Sequence, residues 1–551
     1  MAMAQQSIVF QLWGTGAIDH LTFTFTQRTP MKQYLPLFAF ALFATSLVAQ
    51  TNIAWQNTYG GSSDEEIRGA AQTPDGGYIL IGHTTSSGGQ VTGYQGNEDL
   101  WVVKTDASGG LVWQRALGSG SSEYGYAVAT TADGGYIIAA TADDVGGDIA
   151  NIIGGGDIWL VKLNASGNIV WENTYGGTSY DEPRAVVEVD GGFIVAGYTE
   201  SDNEQVTGYQ GSGDLWVFKV DANGTLLWQR AIGGTDTDEA HGMRRTSDNG
   251  VIIAGSTKSN NGDVGQNFGN TDAWLVKLNE AGTIQWQSVY GHTGDDLAMD
   301  VVQRADGGYT FAAASNSQGG QVSQNFGNYD YWLVRTNPNG TLIGQNSYGG
   351  SGDDIPYALQ QTFDGGYALA GYTASDNGNI TNNLGGLDFW VVKTIDTGVL
   401  DWQRTLGGSD DDLASSLVAT ADGGYLVAGS TKSEDQDVTN GRGGEDFWAV
   451  KLQGNGTVGI AALSTIATRV QLFPDPVVDH TTVVFDLEKA GAVSYLIIDA
   501  AGRTILSKEF GILTAGEQRV MLDLQALTPG AYHFALRQGD AQRSYPFQVV
   551  R

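Results

Sequence analysis

Residues 133–136 read Asp-Gly-Gly-Tyr and residues 157–162 read Asp-Ile-Trp-Leu-Val-Lys, and this pair of motifs decides the fold. Both motifs recur along the chain at spacings of 57 or 58 residues. The first begins at Asp75, Asp133, Asp190, Asp306, Asp364 and Asp422, with a degenerate copy, Asp-Asn-Gly-Val, at Asp248. The second places its tryptophan at Trp101, Trp159, Trp216, Trp274, Trp332, Trp390 and Trp448. A fixed period of this length indicates a repeat architecture.

One repeat, taken from Glu123 to Gly177, predicts four short strands. Asp133-Gly134 lies between two apolar runs, and Asp-Gly in this position is a strong hairpin signal because both turn residues need positive φ. The other runs are rich in β-branched and aromatic residues and show no helical period. Seven such units predict an all-β, seven-bladed β-propeller with four-stranded blades and a repeat of about 58 residues.

The phase of the repeat predicts how the array closes. Thr51–Tyr59 matches only the last strand of a unit, whereas Asp446–Leu452 matches the third strand. One blade is therefore expected to take its outer strand from the N-terminal end of a propeller spanning residues 51–459. Such a closure pairs two open sheet edges that would otherwise favour aggregation.

Composition excludes several function classes. The formal charge of the 551 residues is −33, which argues against nucleic acid, since phosphate binding needs a basic surface. With no cysteine, disulfides and thiol chemistry are excluded. Residues 31–49 have the layout of a secretory signal peptide, and no later segment is apolar and long enough to span a membrane. We interpret residues 1–30 as an upstream extension, with the natural start at Met31.

Two charged columns run through the repeat. A cation follows the third-strand tryptophan by three residues, at Lys104, Lys162, Lys219, Lys277, Arg335, Lys393 and Lys451. The second set, which we name the acid column, is Glu65, Glu123, Asp181, Asp238, Asp296, Asp354 and Asp412. Because a buried charge without a partner is costly, we expect these acids to be structural and to pair with the cations. The alternative is a carboxylate ring that holds cations, with Ca²⁺ as the possible ion.

Three further columns of the repeat are expected to have mainly structural roles. The third-strand tryptophan and a fourth-strand tryptophan (Trp55, Trp113, Trp171, Trp228, Trp286 and Trp402) are expected to pack between blades, with a carbohydrate platform as the alternative. A polar column in the long loop is expected to bond to backbone groups. That column consists of Gln90, Asp148, Gln205, Asp263, Gln321, Asn379 and Asp437.

The repeat resembles a propeller repeat of secreted proteins from Gram-negative bacteria. The matching residues are Tyr348-Gly349-Gly350 to Asp354, Asp364 to Tyr367, Gly371 to Ser375 and Asp388 to Lys393. The resemblance implies a fold and no established activity. The stretch from Asp106 to Trp113 also resembles the docking motif of pyrroloquinoline-quinone dehydrogenases, although their metal site and catalytic aspartate have no counterpart that we can locate.

The period stops after Gly459. Residues 460–469 are expected to form a linker, and residues 470–551 to form a small Ig-like β-sandwich of seven strands. This tail resembles the type A C-terminal sorting domain of the type IX secretion system, although Asp475 replaces the usual asparagine. The residues that carry the resemblance are Pro474, Asp475, Pro476, Gly502, Gly530, Tyr532 and Arg551. The resemblance implies the type IX machinery as a partner and a location outside the cell or on the outer-membrane surface.

We therefore expect a secreted, non-enzymatic propeller with no catalytic residues and no cofactor, which binds an extracellular glycan or protein through its loop faces. The alternative is a propeller enzyme, either quinoprotein-like or glycan-cleaving. A structural spacer is the third reading. Irregular columns should distinguish these functions, and the visible ones follow the acid column near one mouth of the central channel. They are residues 181–184, 241–245 and 355–357.

Overall fold

The computed structural model describes residues 52–453 except 363 and 421, together with residues 467–473, 480–487, 490–499, 504–525, 527, 530–538 and 541–550. The described residues form strands, turns and loops, with no helix among them. The chain is therefore all-β, as predicted. Within the described part of the chain, no helix is long and apolar enough to cross a membrane.

Seven four-stranded antiparallel sheets make up the repeat array. Sheet 7 takes β1 (Ile53–Tyr59) as its fourth strand. Sheet 1 contains β2 (Glu65–Gln72), β3 (Tyr78–Thr84), β4 (Asp99–Thr105) and β5 (Leu111–Leu117). Sheet 2 contains β6 (Gly125–Thr130), β7 (Tyr136–Ala142), β8 (Asp157–Leu163) and β9 (Ile169–Tyr175). Sheet 3 contains β10 (Asp181–Val189), β11 (Gly192–Thr199), β12 (Asp214–Asp221) and β13 (Leu226–Ile232).

The remaining sheets repeat the pattern. Sheet 4 contains β14 (Asp238–Arg245), β15 (Val251–Thr257), β16 (Asp272–Leu278) and β17 (Ile284–Tyr290). Sheet 5 contains β18 (Asp296–Gln303), β19 (Tyr309–Ser315), β20 (Asp330–Thr336) and β21 (Leu342–Tyr348). Sheet 6 contains β22 (Asp354–Gln361), β23 (Tyr367–Thr373), β24 (Asp388–Thr394) and β25 (Leu400–Leu406). Sheet 7 contains β26 (Asp412–Ala419), β27 (Tyr425–Thr431) and β28 (Asp446–Leu452), with β1 paired to β28.

Adjacent sheets are joined in the same way at seven junctions. At each one, the backbone N–H of the acid-column residue donates to a carbonyl just before the third strand of the preceding sheet, as from Glu123 to Glu98 at 2.7 Å. The bond from Glu65 to Glu445, also 2.7 Å, joins sheet 1 to sheet 7. The first strands of neighbouring sheets contact one another, and β2 contacts β26 as well. The predicted pairing of the N-terminal strand with residues 446–452 is confirmed.

The core lies between neighbouring sheets. All seven third-strand tryptophans are fully buried, as their predicted structural role requires. Six of the indole N–H groups donate to a glutamine on the fourth strand and that of Trp159 donates to Glu172. The fourth-strand tryptophans support the next sheet. A methyl group on Gly109 would lie 2.7 Å from the Trp55 ring, so this turn needs glycine.

The C-terminal region forms two antiparallel sheets around one apolar core. The first contains β29 (Ala467–Phe473), β30 (His480–Leu487) and β33 (Gly516–Asp523). The second contains β31 (Gly491–Asp499), β32 (Thr504–Leu513), β34 (Gly530–Gln538) and β35 (Ala541–Val549). All seven predicted strands are present. The first begins at Ala467, inside the predicted linker, and the last spans Ala541–Val549.

Candidate functional site

The first strand of every sheet has a β-bulge at the same position. The pairing with the second strand skips one residue, for example between Ile67 and Gly69 in sheet 1. We name the skipped positions the bulge residues: Arg68, Tyr126, Arg184, His241, Met299, Tyr357 and Ser415. Bulges re-aim side chains and are common beside binding sites. The same backbone irregularity occurs seven times, and the residues at this position are of five different types.

All seven bulge residues line one cavity. Its volume is about 500 Å³, and its walls come from the first strands of sheets 1–7. Three of the irregular sequence segments reach it, through Arg184, through His241 and Arg244, and through Tyr357. These segments were predicted to lie near one mouth of a central channel, and the structure places these four residues in the lining of this cavity.

One wall of this cavity alternates arginine and tyrosine. The guanidinium carbon of Arg68 lies 4.6 Å from the Tyr126 ring centre, and that of Arg184 lies 5.4 Å from the same ring. Both arginines are held by carboxylates, Arg68 by Glu66 at 3.0 Å and Arg184 by Glu182 at 2.6 Å. The Tyr126 hydroxyl donates to Glu182 at 2.9 Å. The charges of both arginines are therefore balanced by carboxylates that do not line the cavity, and this wall presents guanidinium groups and an aromatic ring.

The facing wall is built around a buried acid. Asp300 accepts a hydrogen bond from Arg244 at 2.6 Å and from the backbone N–H of Leu359 at 2.9 Å. His241 contacts Ser256 at 3.0 Å. Burial, followed by the charge of Arg184, lowers the pKa of His241 to about 3, so the ring is neutral at physiological pH. Tyr357 completes this side with 38% of its surface exposed.

The predicted pairing of the acid column with the cationic column is wrong. Five of the lysines instead pair with the carboxylates of the turns that begin each repeat motif, as between Lys104 and Asp75 at 2.9 Å and between Lys277 and Asp248 at 3.0 Å. The physical reason is distance along the strand. Lys104 lies five residues from Asp99, which at about 3.3 Å per residue places it near the opposite end of the sheet from the acids. We name Asp75, Asp133, Asp190, Asp248, Asp306, Asp364 and Asp422 the turn aspartates.

The acid column is buried and held by neutral donors. Each of its seven carboxylates accepts the backbone N–H of the residue four positions earlier, as Asp181 does from Gly177 at 2.8 Å. Each also accepts at least one serine or threonine hydroxyl, as Asp238 does from Ser259 at 2.8 Å. These contacts agree with the expected structural role of the acids.

Sequence reasoning missed a second set of buried acids. The aspartate of each Asp-x-Trp motif begins a third strand, and we name these residues the strand aspartates. They are Asp99, Asp157, Asp214, Asp272, Asp330, Asp388 and Asp446, none more than 2% exposed. Oδ2 of each accepts a backbone N–H from four residues earlier, whereas Oδ1 of each is buried without a hydrogen-bond partner. Their presence in all seven motifs was the signal that could have revealed them.

The polar loop column bonds to the backbone, as predicted. Six of its side chains accept the N–H of a glycine that ends a fourth strand, such as Gly60 to Gln90 at 3.1 Å. The stretch from Asp106 to Trp113, which resembles the quinoprotein docking motif, also has a structural role. Its turn packs against the Trp55 indole of the preceding sheet, and the indole N–H donates to the Ala107 carbonyl at 3.1 Å.

Residues 471–547 match the family described as the secretion system C-terminal sorting domain. The chain carries a C-terminal sorting domain of the type IX secretion system. This domain implies export from the cell and contact with the type IX machinery. Of the residues predicted to carry the sorting motifs, Gly530 begins β34 and Tyr532 is buried within it. Pro474, Asp475, Pro476, Gly502 and Arg551 lie outside the described residues, as do the predicted signal peptide and residues 1–30.

Outside the sorting domain, the similarities of this chain to known proteins are weak. The regulatory protein FlaEY of Caulobacter vibrioides is 26% identical over 384 residues, which are 60% of this chain and 38% of that protein. The solved structure of PorZ, a surface component of the type IX secretion system of Porphyromonas gingivalis, covers 91% of this chain and 86% of its own at 11% identity and a TM-score of 0.24. A puromycin hydrolase covers 70% and 54% at 14% identity and a TM-score of 0.36. Such values carry no argument about function.

Proposed function

We propose that this protein is a secreted, non-enzymatic β-propeller that binds a glycan in the cavity lined by the bulge residues. The observation that carries the proposal is the contrast within the repeat. Tryptophan, acid and glycine positions are constant from sheet to sheet, whereas the bulge positions vary and all face one cavity of about 500 Å³. Variation confined to an inward-facing column is typical of a recognition surface on a fixed scaffold.

The proposed architecture is a closed seven-bladed propeller followed by an Ig-like sandwich. Closure is supported by the hydrogen bond from Glu65 to Glu445, which repeats between sheets 7 and 1 the bond found at the other six junctions. Pairing of β1 with β28 supplies the fourth strand of the last sheet. The two C-terminal sheets share an apolar core, as the halves of a sandwich do.

A glycan fits the chemistry of the cavity walls better than an apolar ligand. Sugar hydroxyls both donate and accept hydrogen bonds, and the cavity lining contains guanidinium donors and a carboxylate acceptor, as in the pair Arg244–Asp300. Tyr126 and Tyr357 present aromatic rings to the cavity, against which the C–H face of a sugar can pack. A protein segment with polar side chains is the alternative ligand, and turnover of a glycan would indicate an enzyme instead.

The test is a glycan array screen with the full chain, followed by titration of the best glycan against two variants. Arg184→Met and Tyr357→Ala each remove one wall contact and should weaken binding by about tenfold or more, the effect of losing about 1.4 kcal/mol. Arg245→Met is the matched control, because Arg245 lies on β14 next to a lining residue and pairs outside the cavity with Asp190 at 2.8 Å.

Three outcomes would contradict the proposal. Binding that is insensitive to both cavity variants would move the site to another surface. Binding of an extracellular protein and of no glycan would replace the ligand class. If the protein releases cleaved sugar, and this activity is lost in the cavity variants but retained in Arg245→Met, then the protein is an enzyme whose active site is the cavity.

A further inference from the structure

Two buried carboxyl groups meet at every junction between sheets. The strand aspartate of one sheet and the acid-column residue of the next both approach the α-carbon of the glycine that follows the fourth strand. A methyl group on Gly176 would lie 2.5 Å from Oδ1 of Asp157 and 2.5 Å from Oδ2 of Asp181. The same convergence occurs at Gly60, Gly118, Gly233, Gly291, Gly349 and Gly407. At Gly60 the pair is Asp446 and Glu65, which joins sheet 7 to sheet 1.

The hydrogen bonds of the two groups are unequal. Asp181 accepts Gly177 N–H, the Thr199 hydroxyl and the Ser201 hydroxyl, so it behaves as an ionised acceptor with three donors. Oδ1 of Asp157, by contrast, faces that carboxylate without a donor, although the residue is fully buried. A buried carboxylate oxygen without a partner is costly, and a second carboxylate close to it increases the cost. A proton on Oδ1 removes both problems, since a protonated carboxyl group donates where an ionised one only accepts.

We propose that each junction holds one proton, carried on Oδ1 of the strand aspartate and donated to the acid-column carboxylate of the next sheet. The folded array then binds seven protons in acid, and a rise from acidic to neutral pH removes them and weakens the contacts between sheets. The inference stands on the position of the paired oxygens, on the missing donors and on burial. It is independent of what the central cavity binds.

A bridging cation fits the junction less well. Ca²⁺ takes six to eight oxygen ligands, and at five junctions the Oδ2 atom of the acid-column aspartate already accepts two hydrogen bonds, as Asp181 Oδ2 does from Gly177 and Ser201. Among the described residues, no group of three or more aspartate, glutamate, histidine or cysteine side chains is placed to hold a metal ion. The other charged groups that act on the pairs are acidic apart from Arg442: they are Asp64, Asp143, Asp148, Glu200, Asp263, Asp295, Asp353, Asp411 and Asp437.

The direction of the pH effect follows from the environment of the pairs. Burial is the main cause that raises the pKa of Asp157 to about 6 and the pKa of Asp214 to about 7, and the neighbouring carboxylates raise both by a smaller amount. An aspartate in the unfolded chain has a pKa near 3.9. The folded state therefore binds more protons between about pH 4 and pH 7, and unfolding releases them. This stabilisation is complete below about pH 4 and is lost as the pH rises through 6 to 7.

The test uses asparagine as a permanent stand-in for the protonated aspartate. In Asp214→Asn the amide donates to Asp238 as the proposed carboxyl group does, so the midpoint of thermal unfolding should be unchanged at pH 3.5, below the unfolded pKa, and raised at pH 8. Asp238→Asn should lower it at both pH values, because this carboxylate accepts three donors. Asp202→Asn is the control, since Asp202 is exposed. For each proton retained, the unfolding constant should rise about tenfold per pH unit between pH 4 and pH 6.

Infrared spectroscopy checks the protons directly. At pH 5.5 exposed carboxyl groups are mostly ionised, so a protonated-carboxyl band should persist in the folded chain and fall by about one seventh in Asp214→Asn. Absence of that band would overturn the proposal, as would destabilisation by Asp214→Asn at both pH values. A melting temperature that rises with Ca²⁺ and falls with chelator would replace the proton by a cation.

Discussion

The two ends of each sheet use aspartate in opposite ways. At the turn end, the side chain of Asp75 is 65% exposed and bonds to Lys104, whose side chain is 4% exposed. The hydroxyl of Thr73, helped by Lys104, lowers the pKa of Asp75 to about 2. At the junction end, the carboxyl groups of Asp214 and Asp238 are buried beside each other, and burial raises the pKa of Asp214 to about 7.

The ionisation state of an aspartate in this protein is therefore not determined by its residue type or by its occurrence in every repeat. A partly hydrated carboxylate beside an ammonium group is favoured as the anion, whereas two dehydrated carboxyl groups without a cation favour the neutral acid. The turn end therefore gains stability above pH 4 and loses it in strong acid. The junction end gains stability below pH 4 and loses it towards neutrality. Three changes test how different the two ends are.

Gly176→Ala should have the largest effect. The added methyl group would lie 2.5 Å from Oδ1 of Asp157 and from Oδ2 of Asp181, and both carboxyl groups are fully buried, so at least one of them must shift within the core. We expect a loss of about 3 kcal/mol in the free energy of unfolding, the upper part of the range for overpacking. Urea denaturation followed by tryptophan fluorescence would measure it.

The matched control is Gly134→Ala at the turn end. Gly134 has φ of 81° and open space where the methyl group would lie, so only backbone strain remains. That strain costs about 1–2 kcal/mol. Equal losses in the two variants would show that the junction is less crowded than the structure indicates.

Lys277→Met should have an intermediate effect. The ammonium group is buried and donates to Asp248 and to the carbonyl of Leu278, but Asp248 is 45% exposed and can be hydrated when the lysine is removed. We expect a loss of about 1–2 kcal/mol, below the 3–5 kcal/mol typical of breaking a fully buried pair. Lys258→Met, at an exposed lysine, is the control.

A double-mutant cycle identifies the partner. Lys277→Met and Asp248→Asn should show a coupling energy of about 1 kcal/mol, whereas the cycles with Asp238→Asn and Asp296→Asn should show none, since residues without shared contacts act additively. Coupling to either acid-column residue would restore the pairing that the sequence suggested.

The repeat pattern predicted the scaffold well and the interactions of its charges poorly. The strand order of each repeat and the pairing of β1 with β28 follow from the phase of Asp-Gly-Gly and Asp-x-Trp, because a hydrophobic period of two and glycine turns act locally. Charge pairing depends on which ends of two strands meet in space. The cationic column and the acid column each have seven members, one in every repeat, which suggested that they pair. Lys104 nevertheless pairs with Asp75 and not with an acid-column residue.

The cavity was predictable only in part. Residues 241–245 and 355–357 stood out because they interrupt the repeat, and His241 and Tyr357 do line the cavity. The bulge that turns them inward gives no sequence signal, since the extra residue is accommodated without a glycine or a change in repeat length. Sequence also gave no reason to separate Arg244, which lines the cavity, from Arg245, which pairs with Asp190.

The smallest effect is expected at Asp190, which, like Asp306, lacks the threonine found two residues before the other turn aspartates. Glu188 replaces the threonine that lowers the pKa of Asp75 and Asp133, and Lys219 donates to the Asp190 backbone carbonyl rather than to its carboxylate. The carboxylate instead pairs with Arg245 at the surface, where such contacts contribute about 0–1 kcal/mol. Asp190→Asn should therefore change the free energy of unfolding by about 0.5 kcal/mol or less.

The matched variant is Asp133→Asn, which should lower the free energy of unfolding by about 1 kcal/mol, because the buried ammonium group of Lys162 bonds to the Asp133 carboxylate. Measured in urea at pH 7 and again at pH 3, the difference between the two variants should shrink at pH 3 as Asp133 begins to be protonated. Equal losses at pH 7 would mean that the buried lysine adds nothing to the turn end, and that the two ends differ only in hydration.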